Sequence, residues 1–145
     1  MIYVIMHLSK GSLRDLLKKK KKFSPEDIFK LIIQITSSMY LLNNNNIMHL
    51  DLKPENILLE NDKYFKLCDF GCSQLMHTES SKEFQVLTEC AFGTPRYIAP
   101  EIKLNIARVN KSSCDVWSLG IILYEILYDS HPFSTNPKNG EVDRK

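Results

Sequence analysis

The chain has 145 residues, of which 43% are hydrophobic and 25% charged, with a formal net charge of +2 at pH 7. A chain of this length supports one domain that buries roughly 70% of its unfolded surface, and the composition excludes collagen-like, disordered and membrane-spanning classes. The net charge is too small to imply nucleic acid or an anionic membrane as a partner, because both demand a strongly basic face.

Residues Met1 to Leu8 are apolar and β-favouring (Ile2, Tyr3, Val4, Ile5) and run into a turn at Gly11, which predicts a short opening strand. Ser12 is placed to cap a helix that begins at Leu13 and continues through Leu16 and Leu17. The five lysines Lys18 to Lys22 read as a solvated loop rather than a targeting patch. Ser24-Pro25-Glu26-Asp27 then starts a second helix, with a capping hydroxyl, proline in the first turn and acids facing the positive end of the helix dipole. Ile28, Leu31, Ile32, Ile35, Met39 and Leu42 follow at helical spacing until the run Asn43 to Asn46.

Ile57 to Leu59 and Tyr64 to Cys68, joined by Glu60 to Lys63, predict a β-hairpin. From Phe70 to Pro100 no periodicity is visible, and a stretch of that length inside a compact domain is usually functional. Cys114 to Tyr128 reads as a helix apolar on nearly every side and therefore central, and the residues after Phe133 turn polar. No internal repeat is present. Cys68, Cys72, Cys90 and Cys114 show no zinc-ligand spacing, so reduced thiols and a cytoplasmic location are expected. The longest apolar stretch, Val116 to Leu127, is too short to span a bilayer.

Three strings carry chemistry: HLDLKPEN (His49 to Asn56), DFG (Asp69 to Gly71) and GTPRYIAPE (Gly93 to Glu101), followed by DVWSLG from Asp115. In this order they resemble the signature set of eukaryotic-type serine/threonine protein kinases, specifically the C-terminal lobe of the catalytic domain. The HLDLKP and DFGCS strings are also similar to those of the Mos branch. The resemblance implies an α+β fold, a kinase-like C-lobe that is mainly α-helical with a small β-hairpin and lacks the N-lobe. Residues 1–133 would form a partial kinase domain from the hinge strand to the central helix, with 134–145 a polar tail.

What the resemblance implies for the site is specific. Asp51 matches the catalytic aspartate that takes and orients the acceptor hydroxyl, Lys53 the lysine that touches the transferred phosphate, and Thr94 the threonine that ties the substrate loop to both. Asn56 and Asp69 match the Mg²⁺ ligands, hard oxygens of the kind that ion requires. The hairpin between them is expected to bring the two ligands together. Leu58 would floor the adenine of ATP, and Met6 and Leu8 would line its hinge. His49 and Phe70 resemble members of the stacked apolar spine, and Asp115 the aspartate that anchors the catalytic-loop backbone. The Lys-Pro-Glu-Asn string and Thr94 together favour a protein serine or threonine over tyrosine as acceptor.

Two departures matter. Leu50 stands where kinases usually carry an arginine that pairs with a phosphate, so ordering of the segment Cys72 to Phe92 is expected not to require phosphorylation. The glycine-rich loop, the strand lysine and its partner glutamate would all lie before Met1, and Glu101 is expected to lack its distant arginine. Placement of reactants is worth roughly 7–11 kcal/mol, so the isolated chain is expected to be inactive. The alternative reading is a non-catalytic lobe that docks partners.

Overall fold

A computed structural model of the chain describes residues 3, 5, 7–61, 63–75, 83–84, 93–104, 109–110 and 113–133. Met6, the expected tail 134–145 and most of the stretch between Cys72 and Phe92 lie outside the described residues.

Helix α1 (Leu13–Lys18) starts in a capping box: the Ser12 hydroxyl accepts from the Asp15 amide and the Asp15 carboxylate accepts from the Ser12 amide. Helix α2 (Pro25–Asn44) starts the same way on Ser24 and Asp27, with Pro25 in the first turn. Each cap satisfies amides that the helix itself leaves without partners, a gain of about 1 kcal/mol. Leu31 and Ile35, one turn apart on α2, are fully buried, and each contributes about 1.5–3 kcal/mol of apolar transfer. Asn46 takes a left-handed backbone (φ 57) after the helix ends, a conformation asparagine tolerates.

Strand β1 (Ile47–Met48) leads into the loop 49–53 and a single 3₁₀ turn, Pro54–Asn56. Strands β2 (Ile57–Asn61) and β3 (Tyr64–Leu67) form the expected hairpin, with Ile57 opposite Leu67. Gln34 of α2 clamps the outer strand, donating to the Lys63 carbonyl at 2.9 Å and accepting from the Phe65 amide at 2.7 Å. Strand β4 (Gln74–Leu75) returns antiparallel to β1, which folds the Asp69–Gly71 segment back beside the loop 49–53. Strand β5 (Glu83–Phe84) pairs with β6 (Val109–Asn110), and between them lies the short helix α3 (Pro100–Lys103). None of these three short pieces was expected, since two to four residues carry too little periodicity to read.

Helix α4 (Ser113–Tyr128) packs through Leu119, Ile121 and Ile122 against Leu13, Leu31, Ile35, Leu52, Ile57 and Tyr97, the main core. A second cluster joins Met48, Leu50, Ala99 and Cys114. Burial, with the Glu101 carboxylate close by, pushes the Cys114 thiol up to about 12. The expectation of a helix buried all round needs correction: Val116, Leu127 and Tyr128 are 58%, 59% and 64% exposed.

The opening strand also needs correction. Among the described residues Ile5, His7 and Leu8 are not part of a strand, and Leu8 is 90% exposed. The ladder forms one step later: Lys10 donates to the Leu59 carbonyl at 2.9 Å, Leu59 donates to the Gly11 carbonyl at 2.8 Å, and Ser12 bridges to Leu58. Residues 10–12 lie along the edge of β2 and find its amide and carbonyl groups, which is what a strand needs besides propensity.

Candidate active site

The loop 49–53 is held by its own side chains and by α4. Asp115, in the first turn of α4, accepts the His49 amide at 2.9 Å and the Leu50 amide at 3.0 Å. His49 is fully buried. Its Nε2 lies 3.0 Å from the Cys68 carbonyl, which can only accept, so the proton resides on Nε2 and Nδ1 accepts from the Asp51 amide at 3.4 Å. The Phe70 ring packs on His49 at a centroid distance of 5.1 Å, as expected for the spine pair, although Phe70 remains 48% exposed.

Leu50 and Asp69 both adopt left-handed backbone, φ 62 and 61. A non-glycine residue there costs about 1–2 kcal/mol, and such strain persists only where the surroundings over-determine it. For Leu50 the surroundings are the apolar cluster with Met48, Ala99 and Cys114 and the two bonds to Asp115. Gly93 (φ 75) crosses so close to this loop that a Cβ there would lie 2.4 Å from the Leu50 carbonyl oxygen. Glycine is therefore required, and its close approach is what brings Thr94 to Asp51.

The Asp51 carboxylate, 8% exposed, is the centre on which the other groups converge. Thr94 Oγ1 donates to its Oδ1 at 2.8 Å. Lys53 Nζ donates to its Oδ2 at 2.7 Å and to Thr94 Oγ1 at 2.9 Å. Asn56 Nδ2 donates to the Asp51 carbonyl at 2.9 Å and to Oδ2 at 3.2 Å. Burial opposes ionisation of Asp51, but the bonds from Lys53 and Thr94 outweigh it and hold the carboxyl below the usual carboxylate range. The same balance raises Lys53: burial lowers it and the bond to Asp51 more than compensates, with the Asp69 charge adding to it. A carboxylate held ionised in this way is a weak proton sink and a good orienting acceptor, which suits a reaction whose transition state needs placement more than proton removal.

Asn56 and Asp69 are brought together as expected. Cys68 donates its amide to the Asn56 carbonyl at 3.0 Å, so Asp69 follows directly on the residue paired with Asn56. Asn56 directs its amide nitrogen at Asp51, and an amide oxygen plus a carboxylate form a hard donor pair. Among the described residues no cluster of three or more His, Cys, Asp or Glu side chains could hold a metal. A two-residue oxygen pair fits Mg²⁺, which keeps several waters and takes further ligands from phosphates.

Of the three residues expected to contact adenine, Leu58 is half-buried on β2, Leu8 is solvent-exposed, and Met6 lies outside the described residues. Glu101 accepts instead from Ser113 Oγ at 3.3 Å and lies 3.8 Å from Cys114 Sγ. The sequence reading missed a second polar cluster: Arg14 of α1 pairs with Glu125 of α4 at 2.7 Å and Glu55 at 2.8 Å, and Tyr97 donates to Glu125 at 2.7 Å. One signal was available, since Glu125 is the one charged residue in the apolar stretch Val116 to Leu127. The Tyr97 hydroxyl is shifted upward by burial and by Glu125, so it remains a phenol.

The sequence profile of the protein kinase domain matches residues 1–145. Among curated proteins the chain is 38% identical over 145 residues to serine/threonine-protein kinase PLK4 of Xenopus tropicalis, covering 99% of this chain and 15% of that protein. It is 35% identical over 134 residues to mouse serine/threonine-protein kinase 36, covering 92% and 10% respectively. With serine/threonine-protein kinase TIO of Arabidopsis thaliana it shares 35% identity over 133 residues, again 92% of this chain and 10% of that protein. The chain thus spans only a small part of the length of these relatives.

Proposed function

The chain belongs to the protein kinase domain family, and on that premise we propose that it is the catalytic half of a kinase that transfers the γ-phosphoryl group of ATP to serine or threonine hydroxyls of a protein. The observation that carries this reading is the Asp51 carboxylate with Thr94, Lys53 and Asn56 all donating to it. Asp51 orients the acceptor hydroxyl, and Lys53 is placed to neutralise the phosphoryl group as it passes. Asn56 and Asp69 would hold Mg²⁺, and bound Mg²⁺ supplies charge neutralisation on the phosphates. Leu58 would lie beneath the adenine.

Thr94, shared between Asp51 and Lys53, supports serine or threonine as acceptor. Leu50, buried in an apolar cluster with Met48, Ala99 and Cys114 and unable to form a charge-assisted bond, supports a loop that orders without phosphorylation between Cys72 and Phe92. Among the described residues Cys68, Cys72 and Cys114 are free thiols, in keeping with a reducing, cytoplasmic setting.

The test is phosphate transfer from MgATP to a generic basic protein by this chain and by the full-length protein that contains it, each beside an Asp69→Ala control. Transfer by the full-length protein that the control abolishes is the expected result. No transfer by either would leave a non-catalytic docking lobe as the better account.

A further inference from the structure

The Arg14 cluster touches no reacting atom, yet it joins four parts of the molecule. The Arg14 side chain is 17% exposed and that of Glu125 12%. Charges withdrawn from water to this extent add little net stability, and their best-attested benefit is to specify one arrangement over others. The arrangement specified here is legible from the bonds. On one side Arg14 holds Glu125, and both contact the Tyr97 hydroxyl. The Tyr97 amide donates to the Thr94 carbonyl at 2.9 Å, and the Tyr97 carbonyl accepts from Ser118 Oγ of α4 at 2.8 Å. The turn 94–97 is thereby fixed to α4 with Thr94 Oγ1 on Asp51. On the other side Arg14 Nε donates to Glu55 at 2.8 Å, and the next residue, Asn56, donates to the same Asp51.

We propose that Arg14 is a positioning residue, whose rigid guanidinium fork sets the Thr94 turn and the Pro54–Asn56 turn against Asp51 so that the transfer site assembles as one unit. The proposal rests on the kinase reading above for its effect on rate, and on geometry alone for its effect on the Thr94 turn. Lysine cannot take its place, because one ammonium does not present parallel donors to carboxylates on two different elements.

The experiment is a double-mutant cycle in the full-length protein, with kcat for peptide phosphorylation as one reading and amide hydrogen exchange as the other. Arg14→Ala and Arg14→Lys should each lower kcat about tenfold, since small misplacements of reacting groups cost this much or more. In a Thr94→Val background the same substitutions should cost clearly less than about tenfold, because one of the two groups they position is gone and only the Asn56 turn remains to be misplaced. Generalised unfolding would not produce that dependence. Equal losses in both backgrounds, or no loss in either, would overturn the proposal. Should Arg14→Ala fail to fold, Tyr97→Phe removes only the shared hydroxyl and should show the same dependence on Thr94. If the wild-type protein transfers no phosphate, the kinase reading fails and hydrogen exchange still decides this one. Faster exchange at 93–99 in the Arg14 and Tyr97 variants, joined in the Arg14 variants by residues 55–56, upholds it, and unchanged exchange at 93–99, or equal acceleration in α2, sinks it.

Discussion

Asp51 and Asp115 are both buried aspartates of the same corner of the molecule, and they are held in opposite ways. Among the described residues Asp115 accepts main-chain amides alone, those of His49 and Leu50. Asp51 accepts mainly from side chains, namely Lys53, Thr94 and Asn56, with the Thr94 amide also favouring its ionised form. Main-chain donors cannot swing away, so Asp115 is committed to the shape of the loop. Side-chain donors can rearrange around an arriving hydroxyl, so Asp51 keeps acceptor capacity that a substrate can use. The difference teaches that burial and residue type do not separate a scaffold carboxylate from a working one, whereas the nature of the donors does.

The comparison breaks most visibly if Asp51 is made neutral. Asp51→Asn should lower kcat in the full-length protein by about 10²–10⁴-fold while costing less stability than Asp115→Ala; an equal or larger loss of stability would put Asp51 in the same class as Asp115. The reverse pattern is expected for Asp115→Ala, which strands two buried amides and should cost about 2–4 kcal/mol in chemical denaturation. Gly93→Ala sharpens the link between the two carboxylates. Its Cβ would meet the Leu50 carbonyl oxygen at 2.4 Å, and the resulting shift should cost about 1–3 kcal/mol and reduce kcat by moving Thr94 off Asp51. Far from both carboxylates, Ser24→Ala should cost about 1 kcal/mol through the lost cap with no change in kcat, the control for pure stability effects.

The smallest effect concerns acid. Because the folded state holds Asp51 below its ordinary value, its contribution to stability is complete above about pH 4 and is lost as pH falls through the folded value. Asp51→Asn should therefore flatten the acid limb of a stability profile below about pH 4, and an unchanged limb would mean that the bonds from Lys53 and Thr94 do not favour the ionised form.

The features legible in the sequence are those written locally. Ser12 and Ser24 announce their helices because a cap and its partner acid lie three residues apart. The hairpin is legible from two β-favouring runs, and Asp51, Lys53, Asn56, Asp69 and Thr94 from strings of fixed order. What escaped depends on contacts between distant segments. Arg14 and Glu125 are 111 residues apart, and nothing near either one names the other. The pairing of β1 with β4 involves two residues on each side, too few for a period. Leu8 looked like a strand residue because propensity describes a side chain, whereas a strand also needs a neighbour. Val116 and Tyr128 looked like core for the same reason: an apolar helix announces that it can be covered, not which side is covered.

The two bonds between Lys10, Gly11 and Leu59 make the start of the chain and the catalytic hairpin mechanically continuous. A pull applied to the chain ahead of Lys10 is borne first by those bonds and reaches β2, and Asn56 lies three residues along from Leu59 at the point where β2 leaves the 3₁₀ turn. Asn56, the proposed Mg²⁺ ligand, is thus the first group of the site to feel tension from that direction, while Asp51, anchored through the loop to α4, stays with the helix.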